Sequence, residues 1–285
     1  MKPSRRFLNQ PKDFWAHVRS ISQEVGYTQR ASGSVKVPSL DDVIGALRGL
    51  GLSTDHILGA RGRATPTGNA LLSYFRYRAD VLNRFVEPRL MDAARAHEVF
   101  ERLRDKYRLE ERDIPWNKQK GAKRTPAYLT AIVGMIIRAN ARGLPCDFDP
   151  RSLTTVTAGG RPLRTLARRV DGAFPSVVNP VVVWEIKEYY HTTTFGSRVA
   201  DGVYESLLDG MELEELRQHE GRDVKHYLMV DAHYTWWDCG RSYLCRLIDM
   251  LHMGYVDEVL FGHEVVERLP AIVAQWVRAA RARPS

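Results

Sequence analysis

Glu185, Ile186 and Lys187 follow the apolar run Pro180-Val181-Val182-Val183-Trp184. Side chains alternate along an extended strand, so Glu185 and Lys187 project from one face. Asp171 stands fourteen residues earlier, after Leu166-Ala167-Arg168-Arg169-Val170 and ahead of Gly172 and Pro175. Two carboxylates and a lysine on adjoining strands have the composition of a metal-dependent phosphodiesterase site. The carboxylates hold a hard divalent cation, and the ammonium sits where water becomes a nucleophile. A second acid-x-lysine, Asp223-Val224-Lys225, follows Gly221-Arg222 at a strand entry and reads as a solvated strand end. Glu185 instead comes after large apolar residues, where an ionised group is costly without partners. The competing reading of Glu185 and Lys187 is a cross-strand ion pair on a half-exposed sheet.

The elements around these residues change character along the chain. Phe14, Trp15, Val18 and Ile21 keep helical spacing, and Ser39 is placed to cap a helix through Arg48 that ends at Gly49-Leu50-Gly51. Ser53 is a candidate cap for a second short helix through Leu58, which gives the outline of a helix-turn-helix or of any helical hairpin. A basic loop carries Arg61 and Arg63, and helical periodicity runs over 69–107 with a break at Pro88. The loop Trp116-Asn117-Lys118-Gln119-Lys120-Gly121-Ala122-Lys123-Arg124 joins cations to an aromatic ring, a composition suited to DNA contact or to a plain surface loop. Thr125-Pro126 opens a helix over 127–142 with Leu129, Ile132, Val133, Ile136 and Ile137 as its core stripe.

After residue 150 the period shortens. Residues 153–170 predict a hairpin about Gly159-Gly160, with Asp171 on the returning strand or just past it, and 181–190 a long buried strand. Then come a helix over 197–218, a strand over 226–230, a helix over 241–253 and a strand over 255–261. Thr194, Ser197 and Arg198 lie where the long strand leads into its helix, a place to grip phosphate or simply to cap the helix.

In Asp171, Glu185 and Lys187, and in the order of elements around them, residues 150–263 resemble the PD-(D/E)XK nuclease superfamily, particularly type II restriction endonuclease-like proteins. Val170 stands where proline often precedes the aspartate. The resemblance implies an α/β (α+β) fold, a restriction-endonuclease-like mixed sheet flanked by helices. It implies Mg²⁺ held by Asp171, Glu185 and the backbone oxygen of Ile186, with Lys187 beside the attacking water. The expected activity is hydrolysis of double-stranded DNA by a homodimeric endonuclease. A structure-specific repair or RNA nuclease, and a non-catalytic DNA-binding regulator, are the alternatives. Many relatives carry a further glutamate on the helix before the hairpin. Residues 127–142 contain no acid, which leaves Glu87 or Glu98 as substitutes.

Composition sets the outer limits. With 285 residues, 44% hydrophobic and 27% charged, the chain is long enough for an ample core. Its longest apolar stretch, 131–137, cannot span a bilayer, so a cytoplasmic protein with no membrane partner is expected. Cys146, Cys239 and Cys245 read as reduced thiols, and no common zinc spacing links them to His252. Residues 1–170 carry 31 Lys+Arg against 16 Asp+Glu, whereas 171–285 carry 11 against 18. A basic region 1–125 for DNA recognition, joined to a catalytic core 126–285, is the division this asymmetry favours.

Overall fold

The computed structural model describes residues 1–29, 33–117, 124–192 and 196–283. Helices α1 (Arg5–Leu8), α2 (Lys12–Val25), α3 (Leu40–Gly49) and α4 (Pro66–Val81) come first, with a small hairpin of β1 (Thr28–Gln29) and β2 (Ser34–Val35) after α2. Ser39 begins α3 with a reciprocal cap: its hydroxyl accepts from Asp42 N, and the Asp42 carboxylate accepts from Ser39 N. Residues 53–58 make only a turn, so the second helix of a helix-turn-helix does not form. Beyond α4 the chain passes through a wide turn and a short 3₁₀ turn containing Pro88.

Helices α5 (Ala93–Tyr107) and α6 (Tyr128–Asn140) lead to β3 (Asp147–Phe148) and to a hairpin of β4 (Thr155–Ala158) and β5 (Arg161–Thr165). The remaining elements are β6 (Gly172–Phe174), β7 (Val182–Glu188), α7 (Ser197–Glu220), β8 (Lys225–Asp231), α8 (Arg241–His252), β9 (Glu258–Phe261) and α9 (Glu264–Ala282). The main sheet is mixed, in the order β3-β6-β7-β8-β9. β3, β6 and β7 run antiparallel, and β7, β8 and β9 run parallel through the crossovers α7 and α8. No helix among the described residues is long and apolar enough to cross a membrane.

The hairpin about Gly159-Gly160 forms, with both glycines at positive φ, but as a separate two-stranded sheet. The antiparallel partner of β7 is instead β6. The reason lies in composition: β5 (Arg-Pro-Leu-Arg-Thr) is too polar to be buried on both faces, whereas Gly172-Ala173-Phe174 is fully buried. Gly172 is required there, because a Cβ would stand 2.0 Å from the Trp184 ring. β3 and α9 were not anticipated, although Val265, Leu269, Ile272, Val273, Trp276 and Val277 give α9 a continuous buried stripe.

Alternation along β7 sorts its two faces. Trp184 turns to a core shared with α5, α6 and α9, where it stacks on Trp276 at 5.6 Å and 14°. Val183, Glu185 and Lys187 turn to the face covered by α7, with Leu213 and Leu216 packed against Val183. The side chains of α8 pack on Leu228 and Val230 of β8, together with the buried Trp236 and Trp237. Helices α1 to α4 form their own cluster, joined to α8 by a buried charge network. Arg78 of α4, 1% exposed, donates to both oxygens of Asp249 at 3.1 and 3.0 Å, and also to Ser22. The Tyr74 hydroxyl donates to Asp249 at 2.6 Å.

Two carboxylates close the far ends of β7 and β8. Asp231 is fully buried and accepts from Met91 N, Ala232 N and the Tyr190 hydroxyl. Burial outweighs these bonds and pushes its pKa from 3.8 up to about 7. Opposite it, Glu188 accepts from the amide and hydroxyl of Thr130 at 2.9 and 3.0 Å. Glu188 thus pairs with no arginine among the described residues, although it follows the Glu-x-Lys pair directly on β7. It caps α6 instead, because the first turn of α6 has no cap residue of its own.

Two outcomes follow. Asp249→Ala leaves the Arg78 charge buried and unpaired, and chemical denaturation should register a loss of about 3–5 kcal/mol. Asp231 has a higher pKa folded than unfolded, so its contribution is complete below about pH 4 and fades as pH rises through about 7. Asp231→Asn keeps both amide bonds and carries no charge. Its stability relative to wild type should therefore climb between about pH 4 and 8, by at most about 4 kcal/mol, and a flat difference would refute the assignment.

Candidate functional site

The pairing of β6 with β7 stops at Gly172, opposite Trp184. Past that point the Asp171 carboxylate takes the place of a strand neighbour, accepting from Ile186 N at 2.7 Å. Asp171 N in turn donates to Glu185 at 3.2 Å. The end of one strand thus brings Asp171 beside the middle of the next. Lys187 Nζ lies 2.7 Å from Glu185 Oε2 and 3.7 Å from Glu205 Oε2. Asp171, Glu185 and Lys187 form one cluster. The N–H and C=O of a strand residue point to the same edge, so the Ile186 carbonyl faces the Asp171 side.

Three members of the cluster escaped the sequence reading. Arg168, in the bend between β5 and β6, lies 3.0 Å from Glu185 Oε1, 2.6 Å from Asp209 Oδ2 and 3.3 Å from Glu205 Oε2. Glu205 and Asp209 belong to α7 and are one turn apart, so both face β7. That i, i+4 pair on the helix directly after the Glu-x-Lys strand was the available signal. Glu87 and Glu98 are not part of the cluster: Glu98 pairs with Arg95 on the surface of α5. Gly202 admits Lys187 to the helix surface, since a Cβ there would meet Tyr189 Oη at 2.8 Å and Lys187 Cδ at 3.4 Å.

Burial dominates the electrostatics. Glu185 is fully buried, yet Lys187 and Arg168 outweigh desolvation and hold its pKa below the usual carboxylate range. Burial likewise opposes the Lys187 charge, but Glu185 and Asp171 overcome it and keep the ammonium protonated. Asp171 goes the other way: burial, then the neighbouring Glu185 charge, push it up to about 6. The same two causes push Asp209 up to about 7 despite Arg168.

No group of three or more His, Cys, Asp or Glu among the described residues stands ready to hold a metal ion. The donor chemistry nevertheless fits a hard divalent cation. Four carboxylates (Asp171, Glu185, Glu205, Asp209) face two cations (Arg168, Lys187), an excess of two negative charges. Asp209 is fully buried, and its Oδ1 has no hydrogen-bond partner among the described residues. Oxygen ligands in surplus, one of them bare, are what Mg²⁺ selects.

The expected DNA-contact residues fall in three groups. Arg61 and Arg63 are exposed on the loop before α4, and no described contact ties that loop to the cluster. Arg124 is exposed and lies 5.0 Å over the Trp116 ring. Residues on either side of 118–123 are joined by Asn117 with Thr125 and by a bridge between Trp116 and Pro126, just ahead of α6, which Glu188 caps one residue past Lys187. Ser197 is exposed at the first turn of α7. Lys118, Lys120, Lys123 and Thr194, and the side chain of Arg198, lie outside the described residues. The Asp223/Lys225 pair is a half-exposed ion pair at 2.8 Å. Both His252 nitrogens are engaged, by the Ile248 carbonyl and Ser4 N, away from metal chemistry. A cavity of about 470 Å³ between α2, α7 and α8, lined by Tyr27, Tyr204 and Arg246 among others, includes none of Asp171, Glu185 or Lys187.

No curated protein and no solved structure matches the chain. The model of a second family, a domain of unknown function (DUF7690), matches residues 1–85. The model of the domain of unknown function DUF7687 matches residues 91–276, which hold the sheet, α7 and every member of the cluster, and the chain belongs to that family.

Proposed function

We propose that the chain is a Mg²⁺-dependent DNA endonuclease of the type II restriction or related defence kind. The observation that carries this reading is the convergence of Asp171, Glu185 and Lys187 in a cluster with two surplus negative charges. Asp171, Glu185 and the Ile186 carbonyl would hold the ion. When bound, Mg²⁺ supplies Lewis-acid polarisation of the scissile phosphate and a lowered pKa for water.

The protein's own groups divide the remaining work. Lys187 is held as an ammonium by Glu185 and Asp171, so it orients the attacking water and offsets charge on the phosphorane-like transition state; it does not accept the proton. The excess of basic residues over 1–170 would neutralise DNA phosphates. Twofold symmetry of a homodimer would suit a palindromic site.

Incubation of the full chain with plasmid and Mg²⁺ tests the reading. Discrete fragments that vanish with chelator support a restriction enzyme, and smearing or nicking would indicate a structure-specific or general nuclease. An intact plasmid with a gel shift would leave the cluster a structural ion-pair network in a DNA-binding protein. Lys187→Ala and Asp171→Asn should each lower cleavage by about 10²–10³-fold or more while leaving the gel shift in place. Near-normal cleavage by either variant removes the site assignment.

A further inference from the structure

Arg168 stands in an unusual place for an arginine. Its guanidinium spans two elements, bonding Glu185 of β7 through both terminal nitrogens and Asp209 of α7 through one of them. A second contact reaches Glu205 at the rim, which is 46% exposed. The carboxylates it joins are fully buried and cannot be left bare, because uncompensated buried anions are strongly destabilising. In this structure the guanidinium is the cation that lies between Glu185 and Asp209. The arginine side chain is itself 24% exposed and enters from a surface bend, so it can withdraw without dismantling the sheet.

We propose that Arg168 is a built-in counter-ion occupying the cation seat, that a divalent ion displaces it, and that Asp209 then becomes a third carboxylate ligand. The inference rests on the metal-dependent reading above and deepens it. Three observations carry it. Arg168 takes oxygens of Glu185 that a metal would need. Asp209 Oδ1 is buried beside that guanidinium and has no hydrogen-bond partner among the described residues. The cluster's carboxylate groups outnumber its cationic side chains by two with the arginine in place, so exchanging one positive charge for two favours their ionised forms. Glu205 gives the displaced guanidinium a partner at the rim, from which its planar fork can meet a phosphate. Arg168 is then a positioning residue that keeps the acids folded and ready before the ion arrives.

Calorimetric titration of the full chain with Ca²⁺, without DNA, separates the possibilities. Arg168→Gln removes the competitor's charge and should raise Ca²⁺ affinity about tenfold or more, whereas Asp209→Asn should lower it by a similar factor. Unchanged or weaker binding by Arg168→Gln overturns the inference, as does unchanged binding by Asp209→Asn. If the variants fail to fold, a wild-type crystal soaked in Mn²⁺ decides. An ion seated among Asp171, Glu185 and Asp209 with the guanidinium withdrawn supports displacement; an ion seated while Arg168 stays bonded to Glu185 overturns it. Wild-type protein that cleaves plasmid and binds Ca²⁺, beside an Arg168→Gln variant of equal affinity, sinks this inference alone. Wild-type protein that binds no divalent ion sinks the metal-dependent reading with it.

Discussion

The burial of charge between β7 and α7 is the constraint on which the rest of the structure turns. Glu185 and Lys187 lie in the middle of a five-stranded sheet, on a face that a 24-residue helix covers. Ionised groups there are tolerable only when each is paired and hydrogen-bonded. The surrounding chain answers that demand only in part, from three directions. The bend before β6 sends in Arg168, the end of β6 sends in Asp171, and one turn of α7 supplies Glu205 and Asp209. Even the small residues conform: Gly172 lets Trp184 lie flat against β6, and Gly202 leaves room for the lysine stem.

A second buried network does a different task with similar chemistry. Arg78, Asp249, Tyr74 and Ser22 join the N-terminal helices to α8. There one carboxylate meets one guanidinium, and the charges balance. α8 covers the same sheet face as α7, so the helical N-terminal layer is anchored to the scaffold that holds the cluster. The sheet's other face is covered by α5 as well as by α6 and α9, so the core reaches back to residue 93 and draws in a segment the charge asymmetry assigns to the basic region.

What could be read from the sequence was local. An apolar run marks β7, two glycines mark the hairpin turn, helical spacing marks α2 and α6, and the β7-α7-β8-α8-β9 alternation is visible in the change of period. Asp171, Glu185 and Lys187 were legible because a strand alternates and because the spacing of charge after an apolar run is a short-range signal. Arg168 and Asp209 were not, since their 41-residue separation closes only through the packing of α7 on β7. The hairpin's exclusion from the main sheet is decided in the same way. Its turn is encoded in two glycines, but its partner is settled by which segment can be buried on both faces. Glu188 shows the limit most clearly: its cap on α6 depends on a helix end 58 residues away in sequence.

The contrast between the two buried networks bears on what the β7 cluster is for. An ion-pair network that serves only to hold a fold is most stable when its charges cancel, and often more stable still when replaced by apolar residues. The Arg78–Asp249 pair comes close to that ideal. The β7 cluster departs from it with two extra carboxylates, one of them carrying a bare buried oxygen. Desolvation and repulsion from Glu185 push Asp171 and Asp209 up to about 6 and about 7, so their ionised forms are incompletely compensated. Such an arrangement costs stability, a cost that the divalent cation proposed above would offset. That imbalance between the two networks, and not the burial of charge as such, is what supports the metal-dependent reading proposed above.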